Sequence, residues 1–287
     1  MVILNSPCPP NSRFHSFHSA STPTFFMFTH RRRNLPPSPI PSFSISSQLY
    51  NHQQQAPSPT TIPLRQRIDK SFLDVSEAHS DSELWAACCL RVRSFYDFPE
   101  QSFGIQDHQK YLAEREFEAL KERVSGTREG FKRVSCINAT LPLSQIANIS
   151  DDLCSSCKLS NEGESRVVVG TLDLNQCIRL PEEITGMKPK GIGADFARAY
   201  ISNVCVAKEL LRNGLGYTLI AKSKTVANEW GISDLYVHVA IDNEPAKNLY
   251  LKSGFVYESE EPAWQARFRD RPRRLLLWTG LPITYEL

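Results

Sequence analysis

The stretch His238-Val-Ala-Ile-Asp-Asn243-Glu-Pro-Ala246-Lys-Asn-Leu249-Tyr250-Leu-Lys-Ser-Gly254-Phe255 decides the fold. Its start completes Leu235 to Ala240, a β-branched and aromatic run of strand type. Asn243 can cap a following helix through its side-chain oxygen, and Gly254 can close that helix near Ser253. Working outward, Leu210 to Trp230 has Leu215, Leu219, Val226 and Trp230 at helical spacing, with Gly231 as a stop. Ala199 to Val206 is a strand before it. Strand, helix and strand in this order predict two parallel neighbours joined by a right-handed crossover. Phe255 to Tyr257 and Arg274 to Trp278 read as closing strands.

Toward the N-terminus the patterns are shorter. Glu83 to Tyr96 predicts a helix with Leu84, Ala87, Cys88, Val92 and Phe95 on one face. Tyr111 to Val124 predicts a second, with Leu112, Phe117 and Leu120 inward. Phe131 to Ala139 and Arg166 to Asn175 read as strands, the latter through Val167-Val168-Val169-Gly170 and its continuation. Asp151 to Ser165 is polar and is expected to loop out; Pro181 to Gly193, with three glycines and two prolines, is expected to be a long loop. The fold class is α/β (α+β).

Two motifs carry chemistry. At Arg212-Asn213-Gly214-Leu215-Gly216-Tyr217, a glycine pair at a helix mouth lets backbone N–H groups approach an anion, and the helix dipole favours it there. A pyrophosphate suits such a place. In the second motif Tyr250 reads either as a core tyrosine or as a functional phenol. The pair, in this order and separated by one strand and a short loop, resembles motifs A and B of the GNAT (GCN5-related N-acetyltransferase) superfamily from about Tyr200 to Phe255.

That resemblance implies a central mixed, twisted sheet splayed between two parallel strands and flanked by helices. Acetyl-CoA is its implied co-substrate, and no metal is needed. Val204, Cys205 and Val206 would bond pantetheine and acetyl carbonyl through the backbone. Arg212, Asn213, Gly214, Leu215, Gly216 and Tyr217 would cradle the pyrophosphate, and Asn243, Glu244 and Pro245 would touch the CoA arm. Tyr250 would protonate the leaving thiolate. Leu211 stands where the family usually has Gln or Arg, so that side-chain contact to phosphate is not supplied by this slot. No Glu occurs between Ala199 and Val206 to act as base. Tyr200 and His238 match the Tyr and His that hold a relay water in the family's N-terminal-Met acetyltransferases; they also read as a strand aromatic and a satisfied strand histidine, with Asp195 as an alternative base.

Composition bounds the rest. The chain is 41% hydrophobic and 22% charged, with a net charge of +2. It has no sustained basic run in its body and no stretch of about 18 apolar residues, so neither nucleic acid nor a membrane is expected as partner. The scattered cysteines, Cys88, Cys89 and Cys205 in apolar runs, suit buried thiols in a reducing compartment. Cys154-Ser-Ser-Cys157 lacks further ligands for zinc and is expected in a loop.

Residues 1–68 contain no Asp or Glu, are rich in Ser and Pro, and carry Arg31-Arg32-Arg33. They read as a plastid transit peptide, with the mitochondrion as second choice, followed by a linker over 69–79 and the acetyltransferase domain over 80–287. With the plastid group of the family, the resemblance implies protein or peptide N-termini and lysines as acceptors. A small arylalkylamine or polyamine acceptor, or a CoA-binding scaffold without turnover, are the other readings.

Overall fold

The computed structural model describes residues 67–98, 104–161, 163–177, 197–268 and 271–282. Most of the acid-free leader, the loop expected at 181–193 and Asp195 lie outside these residues. Eight strands form one mixed sheet in the order β1-β2-β4-β5-β6-β8-β7, with β3 also on β4. They are β1 (Asp74–Glu77), β2 (Phe131–Pro142), β3 (Lys158–Asn161), β4 (Glu164–Cys177), β5 (Arg198–Val206), β6 (Asp234–Ala240), β7 (Val256–Glu260) and β8 (Arg274–Gly280). The helices are α1 (Asp81–Phe95), α2 (Ile105–Val124), α3 (Leu143–Ile146), α4 (Asp151–Ser156), α5 (Leu215–Glu229), α6 (Glu244–Lys252) and α7 (Ala263–Phe268).

The local signals act as expected where they are strong. Ser80 and Glu83 form a reciprocal capping box that starts α1. Asn243 Oδ1 accepts from the Ala246 N–H at 3.2 Å and starts α6. Strands β5 and β6 are parallel neighbours joined by α5. β4 is buried along most of its length, which requires cover on both faces. Alternation along β4 sends Gly170 and Thr171 to opposite faces. α5 lies against the first, since a Cβ on Gly170 would meet Leu219 Cδ1 at 3.0 Å. α1 lies against the second, where Arg91 reaches Thr171. Leu215, Leu219, Ile220, Val226 and Ala227 of α5 pack into the main core with Leu172, Leu174, Ile201 and Val237; each Leu, Ile or Val among them contributes about 1.5–3 kcal/mol by burial.

Three expectations are corrected. Asp151 to Ser165 is not a loop. It forms α4, capped by Ser150, and then the β3–β4 hairpin. Leu153 and Cys157 are fully buried within that stretch, so the Cys154–Cys157 pair sits at a packed helix end, not in a loop. The span 69–79 is not a linker: Asp74 to Glu77 pair with Thr140 to Ile137, and Ile68, Leu73 and Val75 pack on the core. The long helix begins at Leu215; Lys208–Leu210 is a separate 3-10 turn.

Candidate active site

β5 and β6 are bonded from Arg198–Asp234 to Ile201–Val237, and there the ladder stops. Beyond that point β5 keeps only β4 as partner and β6 keeps only β8. The parting coincides with a bulge. Ser202 faces Asp173 and Cys205 faces Thr171, so β5 carries an extra residue between them. Asn203 takes φ +53° there, and its Nδ2 donates to Asp173 Oδ2 at 2.8 Å. Asn tolerates this left-handed backbone better than most residues. The backbone of Ser202 to Val206 therefore faces the gap without a β6 partner.

Asp173 anchors the bulge. It is fully buried, bound by Arg91 Nη2 at 2.6 Å and by Arg123 Nη1 at 3.1 Å. Burial acts to raise its pKa, but the two guanidiniums outweigh it and hold the carboxyl below the usual range. Arg91 also donates to Thr171 Oγ1 and Cys136 Sγ. Sequence reading passed over this cluster. Its signal was an arginine on the apolar face of α1 and an aspartate inside the apolar Thr171-Leu172-Asp173-Leu174 run.

At the outer end of the gap stands the mouth of α5. Gly214 is the N-cap at φ +84°, a conformation open to glycine, and no side chain caps the helix. The first intrahelical bond is Thr218 N–H to Gly214 O, so the amides of Leu215, Gly216 and Tyr217 precede it. Arg212 is also at positive φ, +68°, and such turns present successive N–H groups as an anion-binding concavity. Asn213 donates to Leu210 O, and Leu211, Arg212 and Tyr217 are exposed. Gly216 differs from Gly214: its added Cβ would come within 2.9 Å of Leu249 Cδ2, so its smallness lets α5 and α6 approach.

At the inner end Tyr200 and His238 meet, with Tyr250 near Tyr200. Tyr200 Oη and His238 Nδ1 are 3.0 Å apart and both residues are buried. Tyr250 is fully buried with its ring edge-on to Phe255, and its hydroxyl has no hydrogen-bond partner among the described residues. Burial, with the nearby Tyr200, pushes the Tyr250 phenol well above the ordinary range, so it holds its proton. Val204 and Cys205 are buried and Val206 is half-buried. The Cys205 thiol, pushed up to about 12 by burial, is not a nucleophile at neutral pH. Asn243 spends its oxygen on the α6 cap, while Glu244 and Pro245 are exposed and Glu244 pairs with Lys247.

These features fit a CoA thioester. A buried phenol without a partner marks a position for a ligand atom. An uncapped helix mouth lined by backbone amides suits a pyrophosphate. Comparison with known proteins gives the family. Residues 141–255 match the Acetyltransferase (GNAT) family. The chain is 68% identical over 215 residues to the Arabidopsis thaliana protein named GCN5-related N-acetyltransferase 7, chloroplastic, covering 75% of this chain and 78% of that one. It is 31% identical over 187 residues to the chloroplastic GCN5-related N-acetyltransferase 6 of the same plant, covering 62% and 60%. Among solved structures it is similar to the PaiA N-acetyltransferase of Thermoplasma acidophilum in complex with coenzyme A, with a TM-score of 0.42 at 10% identity over 72% of this chain and 98% of that one. The chain belongs to the GNAT family of N-acetyltransferases, and within it to the chloroplastic plant members.

Proposed function

We propose that the chain moves an acetyl group from acetyl-CoA to protein amines of the plastid, N-terminal α-amines first and lysine ε-amines second, by direct attack of the amine on the thioester. The observation that carries this reading is the buried Tyr200–His238 pair, 3.0 Å apart, next to the parting of β5 and β6 and close to the unpartnered Tyr250 hydroxyl. The bound thioester supplies an activated acetyl carbon. The protein's share is then to align an amine, remove its proton and return one to sulfur.

An ammonium cannot attack. His238 is the group suited to take its proton near neutral pH, with Tyr200 orienting the ring and passing the proton through the 3.0 Å contact or a water. Tyr250 carries a retained proton and has no competing acceptor, so it is suited to protonate the departing thiolate. The backbone N–H groups of Val204 to Val206 that face the gap are suited to bind the developing oxyanion. Base and acid are thus separate groups, and once the products leave, His238 releases the proton it gained and Tyr250 recovers the one it gave through solvent entering the open gap.

Two experiments test the reading. Turnover on a library of peptide N-termini and lysines should exceed turnover on free arylalkylamines and polyamines. Equal or faster acetylation of a small amine would replace the protein acceptor, and acetyl-CoA binding with no product from any acceptor would leave a scaffold. The acid-free leader supports import into plastids by a transit peptide. A fluorescent fusion of residues 1–80 should enter chloroplasts; a cytosolic or purely mitochondrial signal would refute it.

A further inference from the structure

We infer that Lys70 is a phosphate-binding residue of the cofactor site, delivered to the mouth of α5 by the segment just before β1. A Cβ built on Gly214 would stand 3.2 Å from Nζ of the exposed Lys70, which puts the ammonium beside the N-cap of α5. The helix amides there are uncapped. The position of Lys70 is fixed from both sides. Ile68 and Leu73 pack on the main core, the Leu73 N–H donates to Lys70 O, and β1 follows in the sheet. Asp69, the adjacent acid, is turned to its own turn: its carboxylate accepts from Ser71 N at 3.0 Å and from Ser71 Oγ at 2.7 Å. Lys70 itself forms no ion pair among the described residues, although the chain has carboxylates to offer.

An ammonium held beside a helix N-terminus is electrostatically misplaced on its own, because the dipole's positive end lies there. An anion between the two resolves the conflict: it accepts from the amides and pairs with the ammonium. Within the loop itself Leu211 is exposed and apolar, so Arg212 is the cation that Lys70 would join there. The ligand chemistry is therefore a diphosphate or phosphate ester, reached by a lysine some 140 residues upstream of the glycine turn. A consequence is that any processing of the leader must leave Lys70 in the mature protein.

The inference rests on the acetyl-CoA reading of the same site, and calorimetry separates the two. The full chain, Lys70→Ala, Lys70→Glu, Lys70→Arg and a remote control, Lys110→Ala, are titrated with acetyl-CoA and with S-acetylpantetheine, which keeps the thioester arm and lacks the phosphates. At low salt Lys70→Ala should bind acetyl-CoA roughly 5-fold more weakly and Lys70→Glu roughly 20-fold more weakly, with Lys70→Arg near wild type. Lys110→Ala should match the wild type. The deficit should shrink in about 1 M salt, where the screening length falls to about 3 Å. Affinity for S-acetylpantetheine should be the same for all variants. Undiminished acetyl-CoA affinity in Lys70→Ala, or an equal loss for both ligands, would overturn the inference. A wild-type chain that binds S-acetylpantetheine but shows no added affinity for acetyl-CoA would overturn it together with the pyrophosphate site, and one that binds neither would remove the cofactor reading itself.

Discussion

The two ends of the gap between β5 and β6 are built differently. The outer end uses main-chain amides at the mouth of α5, and its side chains, Leu211, Arg212 and Tyr217, stand in solvent. The inner end uses three individual side chains, Tyr200, His238 and Tyr250, all buried. Main-chain recognition tolerates exchange of its side chains but not added bulk or charge. Side-chain chemistry in a buried place tolerates neither loss of a hydroxyl nor loss of a ring nitrogen. Under the proposed function the difference separates anchoring from chemistry: damage outside should change affinity for acetyl-CoA, and damage inside should change the rate. The bulge at Asn203 lies between the two and is the one element whose loss should disturb both.

The largest effect expected is therefore at that bulge. Asp173→Ala leaves Arg91 and Arg123 buried without their carboxylate, which typically costs about 3–5 kcal/mol. Denaturant or thermal unfolding measures it, and a variant as stable as the wild type would show that the cluster does not hold the bulge. The same carboxylate sets an acid limit. Its folded pKa lies below the ordinary value, so its contribution is complete above about pH 3.9 and is lost as pH falls through the folded value. The acid unfolding midpoint of an Asp173→Asn chain should lose that dependence.

At the outer end, Gly214→Glu combines a strained left-handed backbone with a negative charge at the proposed anion site, and acetyl-CoA affinity should fall by ~10²-fold or more. Normal affinity would show that no phosphate sits there. At the inner end, His238→Ala should lower kcat by on the order of 10²-fold and remove or shift the acidic limb of the pH–rate profile, with acetyl-CoA affinity kept. A wild-type rate with the limb unchanged would pass the base role to another group or to the substrate's own ionisation. The smallest effect is at Gly216. Gly216→Ala should cost about 1 kcal/mol in stability and leave kcat nearly unchanged, because the contact is with the far end of the Leu249 side chain, which can turn aside without shifting α6.

How far the sequence carried the reading differs by region for physical reasons. β5, α5, β6 and α6 are long or tightly capped, and their signals are local: Asn243 bonds three residues ahead, and Gly254 closes the helix at φ +84°. Tyr200, His238 and Tyr250 are legible on these elements, and the fold brings the first two into contact at 3.0 Å. The stretch 151–165 reads as a loop because its helix and strand are short and mostly polar, with burial resting on a few residues such as Leu153, Cys157 and Leu159. β1 was misread because four residues with Ser and Glu do not announce a strand; pairing with β2 makes it one. Arg91 and Asp173 are 82 residues apart, and no local pattern joins them. Lys70 is separated from Gly214 in the same way, and the distinction between Gly214 as a cap and Gly216 as a helix contact needs the packing of Leu249.

The central claim is that the inner end performs acetyl transfer with Tyr250 as the acid. The most direct measurement is Tyr250→Phe, with acetyl-CoA affinity by calorimetry and the single-turnover rate of peptide acetylation on the same preparation. Tyr250 already lacks a hydrogen-bond partner among the described residues, so removing its hydroxyl should leave folding and affinity nearly unchanged. The predicted result is a rate lower by ~10²–10⁴-fold at near wild-type affinity. A wild-type rate, or a loss of affinity large enough to account for the lost rate, would contradict the assignment.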